Sequence, residues 1–156
     1  MENRWRIVFP TLMLAVLACS HSIYDVSPLS FEIREGYYVD SPPPPQIVLI
    51  VSTQTEYRCS NYELAHEFRP AGDLMQVTVF SRVNEPDGCA DLVGPAQFRV
   101  ALPVTIGTYR LELIRNAVTD RYSVAITDTT IDIATVEAHF THPIALTFPR
   151  ATSPKP

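Results

Sequence analysis

The stretch Leu74-Met75-Gln76-Val77-Thr78-Val79-Phe80-Ser81-Arg82-Val83 sets Met75, Val77 and Val79 against Gln76, Thr78 and Phe80. Successive side chains of an extended strand point to opposite faces, so this period of two describes a strand with one buried face. The device recurs with Phe98, Val100 and Leu102 in residues 97–102, with Tyr109, Leu111 and Leu113 in 108–114, and with Tyr122, Val124 and Ile126 in 121–127. Between the last two, Asn116 to Asp120 form a short polar turn, which predicts a hairpin. Upstream, residues 30–35 (SFEIRE) alternate around Phe31 and Ile33. Residues 46–52 (QIVLIVS) are a continuous, β-branched apolar run, the pattern of a central strand covered on both faces. Ile131 to Ile133 and Ile144 to Phe148 add short strands. About eight strands in about 120 residues, with few helical windows, predict an all-β antiparallel sandwich or barrel.

The composition agrees with one globular domain: 156 residues, 46% hydrophobic and 19% charged. Fourteen prolines against five glycines fit neither a long helical bundle nor a glycine-cradled nucleotide site. The net charge of −5 and a pI near 5.3 argue against a nucleic-acid partner, which needs a basic face.

The amino terminus has a different character. Arg4 and Arg6 precede the apolar run Ile7 to Ala18 (IVFPTLMLAVLA), which ends at Cys19. A short basic opening, an apolar stretch and small residues are the anatomy of an export signal. Twelve such residues reach about 18 Å as a helix, short of the ~30 Å hydrocarbon core, so a cleaved leader is expected rather than a permanent span. The four residues Val16-Leu17-Ala18-Cys19 resemble the lipobox of bacterial lipoproteins. The resemblance implies that residues 1–18 are removed, that the Cys19 thiol carries diacylglycerol, and that membrane lipid is the first partner. Ser20, where Asp would resemble an inner-membrane retention signal, points to the outer membrane in a cell that has one. An ordinary secretory signal cut at Ala18 gives the same new terminus.

Cysteine arithmetic follows the same division. Three cysteines leave an odd thiol in an exported chain unless one has another use. Acylation uses Cys19. Cys59 and Cys89 then form the one pair, and with no Cys-x-x-Cys for a metal or redox centre, a structural disulfide is expected in an oxidising compartment. Removing residues 1–18 takes away Arg4, Arg6 and Glu2 and moves the net charge from −5 to −6. A polybasic patch is therefore excluded as a second membrane signal, and the anchor must hold the protein alone.

Residues 19–29, polar and containing Pro28, are expected to be a short tether. Residues 30–149 form the folded domain, and 150–156 a flexible tail. The proline run 42–45 is expected to be a rigid connector between strands. Residues 60–68 (SNYELAHEF) have a capping box in Ser60 and Glu63 and a stop in Pro70, yet equally suit a strand, and are read as strand or irregular.

Leu102-Pro103 followed by Gly107-Thr108-Tyr109-Arg110-Leu111 resembles the corner before the penultimate strand of immunoglobulin-like and fibronectin type III domains. The resemblance implies that Tyr109, two residues after Gly107, ties the corner to upstream backbone. Leu111 stands where antibody domains place a cysteine. The expected fold is thus an immunoglobulin-like β-sandwich.

No constellation selects a chemistry. Glu63-x-x-His66-Glu67 lacks the second histidine of a zinc protease, since position 70 is proline. His139 and His142, three apart on a strand, point to opposite faces. Asp128 and Asp132 are another acidic spacing without further ligands. There is no Gly-x-Ser-x-Gly, phosphate loop or dinucleotide fingerprint. Catalytic residues, metal and cofactors are accordingly expected to be none. The acidic loop 84–95, with Glu85, Asp87 and Asp91 beside Cys89, is the expected contact site for a basic partner or a cation; Pro86-Asp87-Gly88 is turn chemistry. The function expected is a lipid-anchored, non-enzymatic binding or assembly module of the cell envelope with a protein partner. The alternative is an extracytoplasmic hydrolase or metal-dependent enzyme with an acidic cleft.

Overall fold

The computed structural model describes residues 22–36 and 45–150, and among them there is no helix. Eleven strands follow in chain order: β1 (Ser22–Tyr24), β2 (Leu29–Gly36), β3 (Gln46–Tyr57), β4 (Glu63–Ala71), β5 (Leu74–Asn84), β6 (Gly94–Ala101), β7 (Gly107–Arg115), β8 (Val118–Ile126), β9 (Thr130–Glu137), β10 (Thr141–Pro143) and β11 (Thr147–Pro149). The protein is all-β, and every strand expected from alternation is present. In β5, Met75, Val77, Val79 and Val83 face the core, while Phe80 and Arg82 face out. In β3, all of Ile47 to Val51 are buried, and β2 and β6 pair with its two edges. Ile47, Leu49 and Val51 join the main core. Val48 and Ile50 point the other way, where register sets Arg34 and Glu32 on one side and Ala101 and Arg99 on the other. The aliphatic stems of such long side chains cover apolar neighbours while their charged ends stay wet.

The strands form one mixed sheet in the order β10-β2-β3-β6-β4-β5-β7-β8-β9-β11, with β1 added to β5. An antiparallel arrangement was expected, but β10 with β2, β4 with β6 and β5 with β7 run parallel. The β4–β6 link is a single register pair, Glu63 opposite Gln97, so the sheet curls there around one core. Its two margins are bridged by the end of the chain. β10 lies along β2, the Ile144 N–H donates to the Phe31 carbonyl (2.9 Å), the Ile133 N–H donates to the Leu146 carbonyl (2.8 Å), and β11 then pairs with β9. The expected strand over 144–148 is thus displaced: residues 144–146 make the crossing, and β11 starts at Thr147.

Three boundaries differ from the sequence reading, and residues 60–68, read as strand or irregular, are both. The hairpin turn is two residues, Asn116 and Ala117, both with positive φ (51° and 65°), the turn that matches strand twist; Val118 to Asp120 belong to β8. The segment 60–68 is strand from Glu63, with a bulge between Leu64 and His66. Pro70 falls where β4 pairs only with β5, leaving its missing N–H on an unpaired edge. Strand structure is already present at Ser22, the first described residue, ahead of the expected start at Ser30: β1 pairs antiparallel with β5, so residues 22–29 of the expected tether are docked. Finally, Arg150 is held by Glu35 and by the Thr127 carbonyl, so it belongs to the body and not to the tail. Cys19, the leader and prolines 42–44 lie outside the described residues.

Candidate functional site

Loop 84–95 joins β5 to β6 and is fastened by the turn before β4. Cys59 and Cys89 are disulfide-bonded, with Cα atoms 5.3 Å apart. Asn61 grips both flanks of Cys89: its Nδ2 donates to the Gly88 carbonyl (2.7 Å), and its Oδ1 accepts the Ala90 N–H (3.1 Å). A Cβ on Gly94 would stand 3.0 Å from Ser60 Cβ and 3.2 Å from its Cα, so glycine is needed where the loop re-enters the sheet. At the other end the Tyr62 hydroxyl donates to Glu85 Oε1 (3.3 Å). The side chains of Glu85, Asp87 and Asp91 are exposed on this clamped loop, and next to Asp91 stand Leu92 and Val93, exposed by 70% and 67%. The sequence reading noticed the acids and missed both the apolar pair and Asn61. An asparagine two residues after a cysteine was the one available signal.

Among the described residues no group of three or more His, Cys, Asp or Glu is arranged to hold a metal ion. His66 stacks on Phe98 (4.0 Å between ring centres), and Glu67 pairs with Arg69 (2.7 Å). Glu137 takes His139 (3.0 Å) and Arg121, while His142 is exposed on β10. These two partners of Glu137, the His139 hydrogen bond first, lower its pKa. Asp132 accepts the hydroxyls of Thr130 and Thr147, each at 2.8 Å, so the spacing with Asp128 builds no shared site.

At the opposite end of β3 is an open cavity of about 410 Å³ between Gln46, Ile47, Leu102, Pro103 and Val104, with Arg150 at its rim. The Arg150 guanidinium is committed to Glu35 (2.6–2.7 Å) and to Thr127. Beside the cavity the Tyr109 hydroxyl accepts the Thr105 N–H (2.9 Å), and its ring lies over Gly107, 3.6 Å from where a Cβ would be. The Thr105 side-chain and backbone hydrogen bonds lower the Tyr109 pKa.

Two carboxylates, one wholly buried and one half-buried, hold the disulfide end together. Asp120, wholly buried, accepts the N–H groups of His139 (2.7 Å), Phe140 (3.0 Å) and Thr141 (2.7 Å) and the Thr141 hydroxyl (2.6 Å). Thr141 in turn accepts the Tyr122 hydroxyl on its carbonyl (2.8 Å), and Tyr122 packs edge-on against Phe31. Asp25, following β1, accepts the Tyr57 hydroxyl (2.5 Å) and the Ser27 N–H (2.6 Å). Burial pushes the Asp25 carboxyl up, but these hydrogen bonds outweigh it and hold it below its ordinary value. Burial, and then donation to Asp25, push the Tyr57 hydroxyl well up. Arg115 completes the lock, donating to the Ser27 carbonyl (2.7 Å) with its guanidinium 4.6 Å over Phe140.

Comparisons of the chain with protein-family models, with curated proteins and with solved structures returned no match.

Proposed function

We propose that this chain is an exported, lipid-anchored β-domain that works by binding, with loop 84–95 as its contact surface. The observation that carries the proposal is the Cys59–Cys89 disulfide. It consumes two of three cysteines and leaves Cys19 alone at the end of an apolar leader. A disulfide that closes 30 residues fits an oxidising compartment outside the cytoplasm. Loop 84–95 suits a contact role because it is rigidly pinned while its acids and its Leu92-Val93 pair point to solvent. Its chemistry matches a basic protein surface carrying an apolar centre. The immunoglobulin-like reading is kept within this proposal for the Gly107–Tyr109 corner alone.

The anchor is tested by growth on radioactive palmitate. Labelling of the wild type that disappears in Cys19→Ala supports it; equal labelling of both overturns it. The contact surface is tested by mild crosslinking in the native envelope followed by capture. Recovered partners are expected to disappear when Asp87 and Asp91 are changed to Asn, and unchanged recovery overturns the assignment.

A further inference from the structure

We infer that the outward face formed by Tyr24, Val26 and Phe80 rests against the lipid headgroup layer, holding the body in a fixed orientation on the bilayer. The inference rests on the lipid anchor proposed above and adds to it a surface and a direction.

The first step is reach. Cys19 stands three residues before Ser22, and a fully extended chain covers at most about 3.5 Å per residue, so an acylated Cys19 lies within about 10 Å of the start of β1. Ser22 is no loose end. It pairs with Asn84, Ile23 with Val83 and Tyr24 with Arg82, and the Asp25 N–H continues the ladder to the Ser81 carbonyl (3.1 Å). Asp25 and Ser27 are then locked by Tyr57 and Arg115. With no slack between anchor and body, the β1 side of the protein is the side that meets the bilayer.

The second step is what that side displays. Tyr24 lies level with Arg82, Phe80 shares that outward face two residues along β5, and Val26 follows just past the ladder, exposed where Asp25 turns inward. Tyr24 is 72% exposed, Val26 59% and Phe80 44%, so three apolar bodies share a face that no other part of the described chain covers. Arg82 is exposed among them. Aromatic rings with a polar tip or edge, beside a cation, are the residue types that settle at headgroup level. The one carboxylate in this stretch, Asp25, is turned inward to Tyr57. Glu63 and Glu85 stand at the rim, across from and beyond Asn84. The acyl chains supply the affinity, the patch sets the orientation, and loop 84–95 is left at the membrane-level rim.

The mature chain lends itself to a direct test, because the one tryptophan of the sequence, Trp5, belongs to the leader. Tyr24→Trp, Phe80→Trp and Ile106→Trp each give a single fluorophore at an exposed site. Ile106 precedes β7, beyond the Leu74 end of β5 and about 30 Å from the Asn84 end. The full chain, expressed with its leader and purified from membranes, is reconstituted in phosphatidylethanolamine–phosphatidylglycerol vesicles with or without lipids brominated near the headgroup end of their tails. Brominated lipid is expected to quench the Tyr24→Trp and Phe80→Trp variants at least two-fold and the Ile106→Trp variant by less than a tenth. Protein that floats with the vesicles while none of the three is quenched, or all are quenched alike, overturns the orientation and leaves the anchor standing. Protein that does not float overturns the anchor and this inference with it. Should Tyr24→Trp fail to fold, Val26→Trp reads the same face.

Discussion

Asp120 of β8 and Thr141 of β10 are joined by two hydrogen bonds, from the Thr141 N–H at 2.7 Å and from its hydroxyl at 2.6 Å, inside the core. The same carboxylate accepts the N–H groups of His139 and Phe140, so one side chain satisfies three consecutive backbone donors as the chain turns from β9 into β10. A buried donor left unpaired costs about 1–3 kcal/mol. Asp120→Ala is therefore expected to lose at least about 3 kcal/mol in urea unfolding, whereas Asp120→Asn, which keeps one acceptor, loses less. Equal stability of wild type and Asp120→Ala would refute the role assigned to this carboxylate.

Asp25 and Tyr57 predict opposite pH dependences. The folded carboxyl of Asp25 lies below its ordinary value, so its contribution is complete above that value, about 4, and is lost as pH falls through the lowered one. Asp25→Asn is expected to flatten the acid limb of a stability-against-pH curve below pH 4. Tyr57 is shifted the other way: its folded hydroxyl holds its proton longer than the unfolded one, so stability drops as pH climbs above about 10. Tyr57→Phe is expected to remove that alkaline slope. Parallel curves for wild type and variants at both limbs would contradict the pairing.

Reduction of Cys59–Cys89, or the double variant Cys59→Ser with Cys89→Ser, opens a loop of 30 residues. The chain-entropy argument puts the loss near 3.6 kcal/mol. Because Asn61 still holds Gly88 and Ala90, proteolytic nicking within 85–93 is expected to rise further in the triple variant that adds Asn61→Ala. Limited proteolysis with mass mapping reads this, and identical cleavage in the double and triple variants would remove Asn61 from the account.

Ala117 occupies the second turn position with φ at 65°, a region that suits glycine and penalises a Cβ. Ala117→Gly restores the Asn-Gly pair favoured by two-residue hairpins and is expected to gain about 0.5–1 kcal/mol. A thermal melt that moves down instead of up would show that another contact of the Ala117 methyl outweighs the backbone strain.

What could be read before the structure follows from how far each signal reaches along the chain. Alternation is local, so β5, β7 and β8 were legible from Met75, Leu111 and Val124, and the burial of all five residues from Ile47 to Val51 followed from an unbroken apolar run. The disulfide pair was legible because two cysteines have one way to pair. Asp120 was not: its partners lie about 20 residues downstream, and an isolated aspartate after Asn-Ala reads as turn. Residues 22–28 look like a tether in the sequence for the same reason. Their polar groups look solvated until Tyr57, Ser81 and Arg115 arrive from three distant strands. Strand order escaped because parallel neighbours such as β5 and β7 leave no turn between them to announce the pairing.

The stretch from Thr141 to Pro149 is the latch between β2 and β9, and it follows every other described strand in chain order. Pairing Leu29 with Thr141 spans nearly the whole domain, a contact of the kind that forms late and slowly. Until residues 141–149 are in place, both margins of the sheet stay open. A truncation before Thr141 would therefore leave both edges unpaired, the state in which sheets self-associate.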